Sequence, residues 1–198
     1  MSLFTQPYHD AVAQLTGPGA PFEVINCSIE GLSLKAFSQA HSSLSDYLNG
    51  GRQHGDKLLL QYQESTWSFK EFYTAADRLS HWLVTEGNIT AGTPVAIAMR
   101  NRPEWLIAFV AIINVGGIAV PLNSWGKSAE LEQGLEDSHA ALLICDAPRW
   151  KYVQESNRIV SALIVDGDAS GPQQPDFHDV IRANWTGAIT PPAIDTQS

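Results

Sequence analysis

The charged residues that could do chemistry fall into three places. RNRPEW (Arg100–Trp105) is the most basic cluster, Glu136 and Asp137 are adjacent carboxylates, and Arg149 with Lys151 is a second basic pair. A guanidinium pair at a helix start could bind an anion, because free backbone N–H groups and the helix dipole converge there. Pro103 removes one of those donors. The expected role of Arg100 and Arg102 is therefore solvation or pairing with a nearby acid. Neighbouring residues on a helix do not share a face, so Glu136 and Asp137 do not form an acid/base couple. Arg149 and Lys151 follow an apolar run ending at Cys145, which leaves two readings, a solvated surface or contact with a ligand phosphate.

Motifs that would organise other chemistries are missing. There is no GxxxxGK[ST] loop and no GxGxxG after a strand, nor a GxSxG nucleophile elbow. Six histidines (His9, His41, His54, His81, His139, His178) lack metal-ligand spacing, and each is expected at the surface or a helix end. Cys27 and Cys145 are the two cysteines; AALLIC makes Cys145 a small core residue. No catalytic residue and no metal site is assigned. A net charge of −9 argues against nucleic acid as the primary partner. MSLFTQPYHD has no basic-then-apolar leader, so the expected location is cytoplasmic.

The elements that must position these residues are legible around residues 105–123, WLIAFVAIINVGGIAVPLN, an uncharged run. Its length would suit a membrane span. Gly116-Gly117 and Pro121 break it, and no basic cluster flanks it, so we expect a helix over 103–115 and a strand over 118–122. Strands are also expected at 94–99, 141–145 and 161–165, alternating with helices that start at Pro103, Ser128, Pro148 and Asp176. Ser68 and Glu71 have capping-box spacing, with Trp67 and Phe72 as a hydrophobic staple and Gly87 as the C-terminal glycine. Hairpins are expected at 22–26 with 32–37, through a longer loop, and at 58–62 with 66–69, through a three-residue link.

The fold class is α/β: a doubly wound, mostly parallel sheet with helices on both faces, plus N-terminal β-hairpins. We divide the chain into an arm, hairpin and helix over 1–57, an α/β subdomain over 58–185 and a linker over 186–198. Ligands of such sheets bind beyond the carboxyl ends of the strands. That directs attention to residues 100–102, 123–125, 146–149 and 166–168.

In order along the chain, TWSFKEF, GTPVAIAMRNRPEW, IINVGGIAVPLN, LEDSHA and ALLICD resemble segments of adenylate-forming acyl-CoA synthetases. The resemblance implies that a carboxylic acid is activated with ATP as an acyl-adenylate and passed to the thiol of coenzyme A, with Mg²⁺ offsetting phosphate charge. It also implies an arginine near the coenzyme A nucleotide, and Arg149 is the nearest match. The family's phosphate loop ending in Pro-Lys-Gly is absent from these 198 residues. The expectation is an N-terminal part of an ATP-dependent acyl-CoA synthetase, inactive alone and binding no cofactor by itself. Its partner would be the remainder of the synthetase, or a second copy through exposed apolar surface. The alternative is a short non-catalytic module that pairs with a full-length synthetase.

Overall fold

The computed structural model describes residues 5–29, 31–155, 160–167 and 175–185. The expected linker over 186–198 lies outside them. By contact density the chain divides into a unit over residues 1–47 with 194–198 and a unit over 48–193.

In the first unit, α1 (Thr5–Thr16) precedes the hairpin β1 (Val24–Ile29) and β2 (Leu32–Phe37). The hairpin pairs antiparallel from Val24↔Phe37 to Ile29↔Leu32. Its link is therefore two residues, shorter than the loop expected, because β1 continues past Asn26 and keeps Cys27 and Ile29 in register. Gly31 in that link has φ 79°, a left-handed value that glycine adopts without strain. α2 (Leu44–Asn49) and a 3-10 turn (Gly50–His54) come next.

In the second unit, β3 (Leu58–Tyr62) and β4 (Ser65–Ser68) form the next hairpin. Its link is also two residues, not three, with Gln63 at φ 52°. β4 stops at Ser68 because that residue caps α3 (Phe69–Thr85). The Ser68 hydroxyl accepts from the Glu71 amide at 3.2 Å, and the Ser68 amide donates to Glu71 Oε2 at 2.9 Å. This is the capping box the spacing predicts. The helix end differs from expectation: the left-handed residue is Asn88 (φ 54°), not Gly87. Gly87 serves close packing instead, since a Cβ there would lie 2.8 Å from the Leu83 carbonyl oxygen.

The sheet consists of β5 (Pro94–Ala98), β6 (Ile118–Pro121), β7 (Leu142–Asp146) and β8 (Ser161–Val165), all parallel, in the order β6-β5-β7-β8. The connecting helices are α4 (Pro103–Asn114), α5 (Ser128–Ser138) and α6 (Ala147–Gln154), with α7 (Phe177–Arg182) after β8. Strand alternation divides the core. Val95, Ile97, Leu142, Ile144, Leu163 and Val165 pack with α3, α4 and α7. Ala96, Ala98, Leu143, Cys145, Ala162 and Ile164 pack with α5 and α6. Both faces are covered, which explains strands without polar alternation.

The uncharged run is thus a helix, a turn and a strand, and no helix among the described residues is long and apolar enough to cross a membrane. α4 ends in a Schellman motif: the Gly117 amide donates to Ile112 O at 2.9 Å, the Gly116 amide donates to Ile113 O at 3.0 Å, and Gly116 has φ 75°. Ser128 does not cap α5. Lys127 holds the N-cap position, and the Ser128 hydroxyl donates to Glu155 Oε2 at 2.8 Å.

Candidate functional site

The chain leaves β5 to β6 on one side and returns to β7 on the other, so a topological switch lies at the carboxyl end of β5. Asp146, the last residue of β7, sits there and is 4% exposed. It caps α6 by accepting from the Arg149 amide at 3.2 Å, and it accepts from the Arg100 amide at 3.2 Å. Its side chain pairs with Arg149 Nη1 at 3.1 Å. Arg149 is 7% exposed; its Nε donates to the Ser124 carbonyl at 2.8 Å and its Nη2 to the same oxygen. One buried ion pair therefore ties the loops after β5, β6 and β7 together. A buried charge with well-formed partners holds geometry and is costly to break.

The other two strand-end residues form a lid over this clasp. The Arg100 guanidinium lies over the Trp125 ring, 3.1 Å from its centroid, and its Nη1 is buried with no hydrogen-bond partner. Trp125 is 78% exposed, and its amide donates to Asn123 Oδ1 at 3.0 Å. Asn123 in turn donates to Glu130 Oε1 at 2.6 Å.

A second charged group bridges the carboxyl ends of β5 and β8. Arg102 Nε donates to Glu104 Oε2 and its Nη2 to Asp166 Oδ2, both at 2.7 Å. His178 Nε2 lies 3.1 Å from Asp166 Oδ1 and 3.6 Å from Glu104 Oε1. Burial works against the charge on Arg102, but hydrogen bonds and attraction from Glu104 and Asp166 outweigh it and hold the guanidinium well above its ordinary range. Burial also opposes ionisation of Asp166; the Arg102 hydrogen bond and charge, with help from His178, prevail and lower its pKa below 3.8. Arg102 thus pairs with acids, as the sequence led us to expect. Glu104 and His178 form part of the wall of an open cleft of about 920 Å³, with Trp67, Lys70, Arg78 and Arg182.

These groups can position loops and hold charge. The exposed carboxylates Glu136 and Asp137 stay apart from them on α5. The Cys145 thiol is pushed up far out of its reactive range by burial, reinforced by the Asp146 charge. Among the described residues no three His, Cys, Asp or Glu side chains gather as metal ligands. They therefore do not fit a Mg²⁺ ion, and no step is derived through one. Sequence reasoning missed the bond between Asp166 and His178. Asp166 was in view as a strand-end residue, but no local signal marks His178 as its partner.

Residues 49–195 match the AMP-binding enzyme family. The chain belongs to that family. Among curated AMP-binding relatives, a linear gramicidin synthase of Brevibacillus parabrevis is 28% identical over 59% of this chain and 2% of its own length. The very long-chain fatty acid transport protein of Saccharomyces cerevisiae is 26% identical over 67% of this chain and 21% of its own. Among solved structures, the anthranilate CoA ligase AuaEII in complex with anthranoyl-AMP superposes with TM-score 0.63 at 23% identity, covering 71% of this chain and 28% of that one. The Klebsiella oxytoca NpsA N-terminal subdomain in complex with 3-hydroxyanthranilyl-AMSN gives TM-score 0.61 at 19% identity, covering 77% and 35%. At these identities the structural likeness is one of fold. The chain spans a small part of each relative.

Proposed function

We propose that this chain is the N-terminal part of an ATP-dependent acid–CoA ligase and does not activate an acid by itself. In the complete reaction the acid carboxylate attacks the α-phosphorus of ATP, forming an acyl-adenylate and releasing pyrophosphate. The coenzyme A thiol then attacks the acyl carbon, forming the thioester and releasing AMP. A mixed anhydride makes sense here because a carboxylate alone is a poor electrophile.

The observation that carries the reading is the AMP-binding match over residues 49–195, on a parallel sheet whose strand-end charges are committed to one another. A partial role fits the 28% of the anthranilate CoA ligase chain that this chain covers. In this reading the 48–193 unit supplies scaffold sheet and the wall of a site completed by other residues. A coenzyme A nucleotide at Arg149 would meet a guanidinium already bound to Asp146 and Ser124. Its contribution is then to place the loops after β6 and β7.

A second reading differs in the acceptor. Similarity to the linear gramicidin synthase favours an amino acid as the activated acid and a protein-bound thiol as acceptor. Pyrophosphate release from ATP, measured with fatty, aromatic and amino acids, tests the common claim. None above background is expected from this chain with any acid. Acid-dependent release would overturn the partial role, and the acid that supports it would choose between the two readings.

A further inference from the structure

The β1–β2 hairpin has two unlike faces. Its register places Ile25, Cys27, Ile29, Leu32, Leu34 and Ala36 together on one side. The central positions of the other side are Asn26, Ser28, Ser33 and Lys35. The apolar side is open: Ile25 is 42%, Ile29 45%, Leu34 46% and Leu32 64% exposed. A two-stranded hairpin is marginal alone and needs its apolar face covered. α1 of the same unit does not cover it, and leaves its own apolar row, Tyr8, Val12 and Leu15, exposed.

We propose that this face is a homodimer interface, in which two hairpins stack face to face about a two-fold axis running along the strands. Three observations select a second copy. The face carries no charged or strongly polar side chain, so two copies meet without repulsion or desolvation of charge. Its cross-strand pairs set bulky against small residues, with Ile25 opposite Ala36 and Leu34 opposite Cys27. An axis along the strands exchanges the two sides of the ribbon, so Leu34 of one copy lies over Cys27 of the other and Ile25 over Ala36. A self-complementary patch is what an isologous interface requires. Finally, the hairpin lies outside residues 49–195, the span matched to the AMP-binding family.

Half-exposed side chains of this number present an apolar patch on the order of 400 Å², within the size class that marks interaction sites. Stable dimers bury about 800 Å² per partner. The hairpin pair is therefore a weak, reversible contact with a dissociation constant in the micromolar range. The proposal is independent of the ligase reading.

Sedimentation equilibrium of the whole chain tests it. The expected mass rises with concentration from 21.6 kDa towards twice that value at tens of micromolar. Leu34→Thr and Ile25→Thr keep strand propensity and together weaken association at least tenfold. Lys35→Glu, on the opposite face, leaves it unchanged. A bismaleimide with an arm of about 10 Å, the spacing of stacked sheets, joins two copies through Cys27, and Cys27→Ser abolishes the product without changing the mass. A monomer at every concentration would overturn the proposal. So would a dimer that survives the double threonine variant.

Discussion

The two hairpins are built alike and end differently. Both are antiparallel with two-residue links, and both carry apolar residues on one side. Leu59, Leu60 and Trp67 of β3–β4 pack against the core beneath α3 and α4. The equivalent side of β1–β2 remains open. The difference lies in the next element of each. β4 runs through the Ser68 cap directly into α3, so the helix folds back over its own hairpin, and Phe69 and Lys70 donate amides to Lys57 and Gly55. After β2 the chain passes through a loop into the six-residue α2. Local sequence makes a hairpin; the neighbouring element decides whether its face is sealed.

The largest expected effect breaks the sealed side at its hub. Asp146→Ala leaves the buried Arg149 without its carboxylate and should lower unfolding free energy by about 3–5 kcal/mol, read by urea denaturation. Next, Trp67→Ala on β4 should cost about 3 kcal/mol. Leu34→Ala on β2, in dilute monomer, should stay within about 0.5 kcal/mol; equal losses would erase the contrast. Gly116→Ala forces a left-handed conformation on a residue with a Cβ and should cost about 1–2 kcal/mol, read the same way.

The smallest effect concerns acid. Asp166 has a lowered folded-state pKa, so its pairing with Arg102 stabilises the fold above pH 3.8, and that contribution is lost as pH falls through the lower folded value. Asp166→Asn should therefore lower stability slightly at neutral pH and flatten its decline in the acid range. An unchanged acid limb would show that Asp166 contributes nothing there.

What was legible in the sequence was local. Ser68 and Glu71 cap within one turn, and Gly116-Gly117 end α4 within two residues; both follow from short-range hydrogen bonding. The four strands were legible because burial on both faces leaves them apolar throughout. The site was legible only as a set of loops. Arg102 finds Asp166 across 64 positions and Arg149 finds Ser124 across 25, and no periodicity encodes such pairings. Gly87 misled because glycine marks either a left-handed turn or a close approach, and here it is the second, with Asn88 taking the turn.

Native-state hydrogen exchange tests the contrast between sealed and open regions most directly. At submicromolar concentration the amides of β5 and β7 should exchange only through global unfolding, and those of β1 and β2 far faster. Raising the concentration to tens of micromolar should slow β1 and β2 alone. Protection of β1–β2 equal to that of β7 in the dilute monomer would contradict the account.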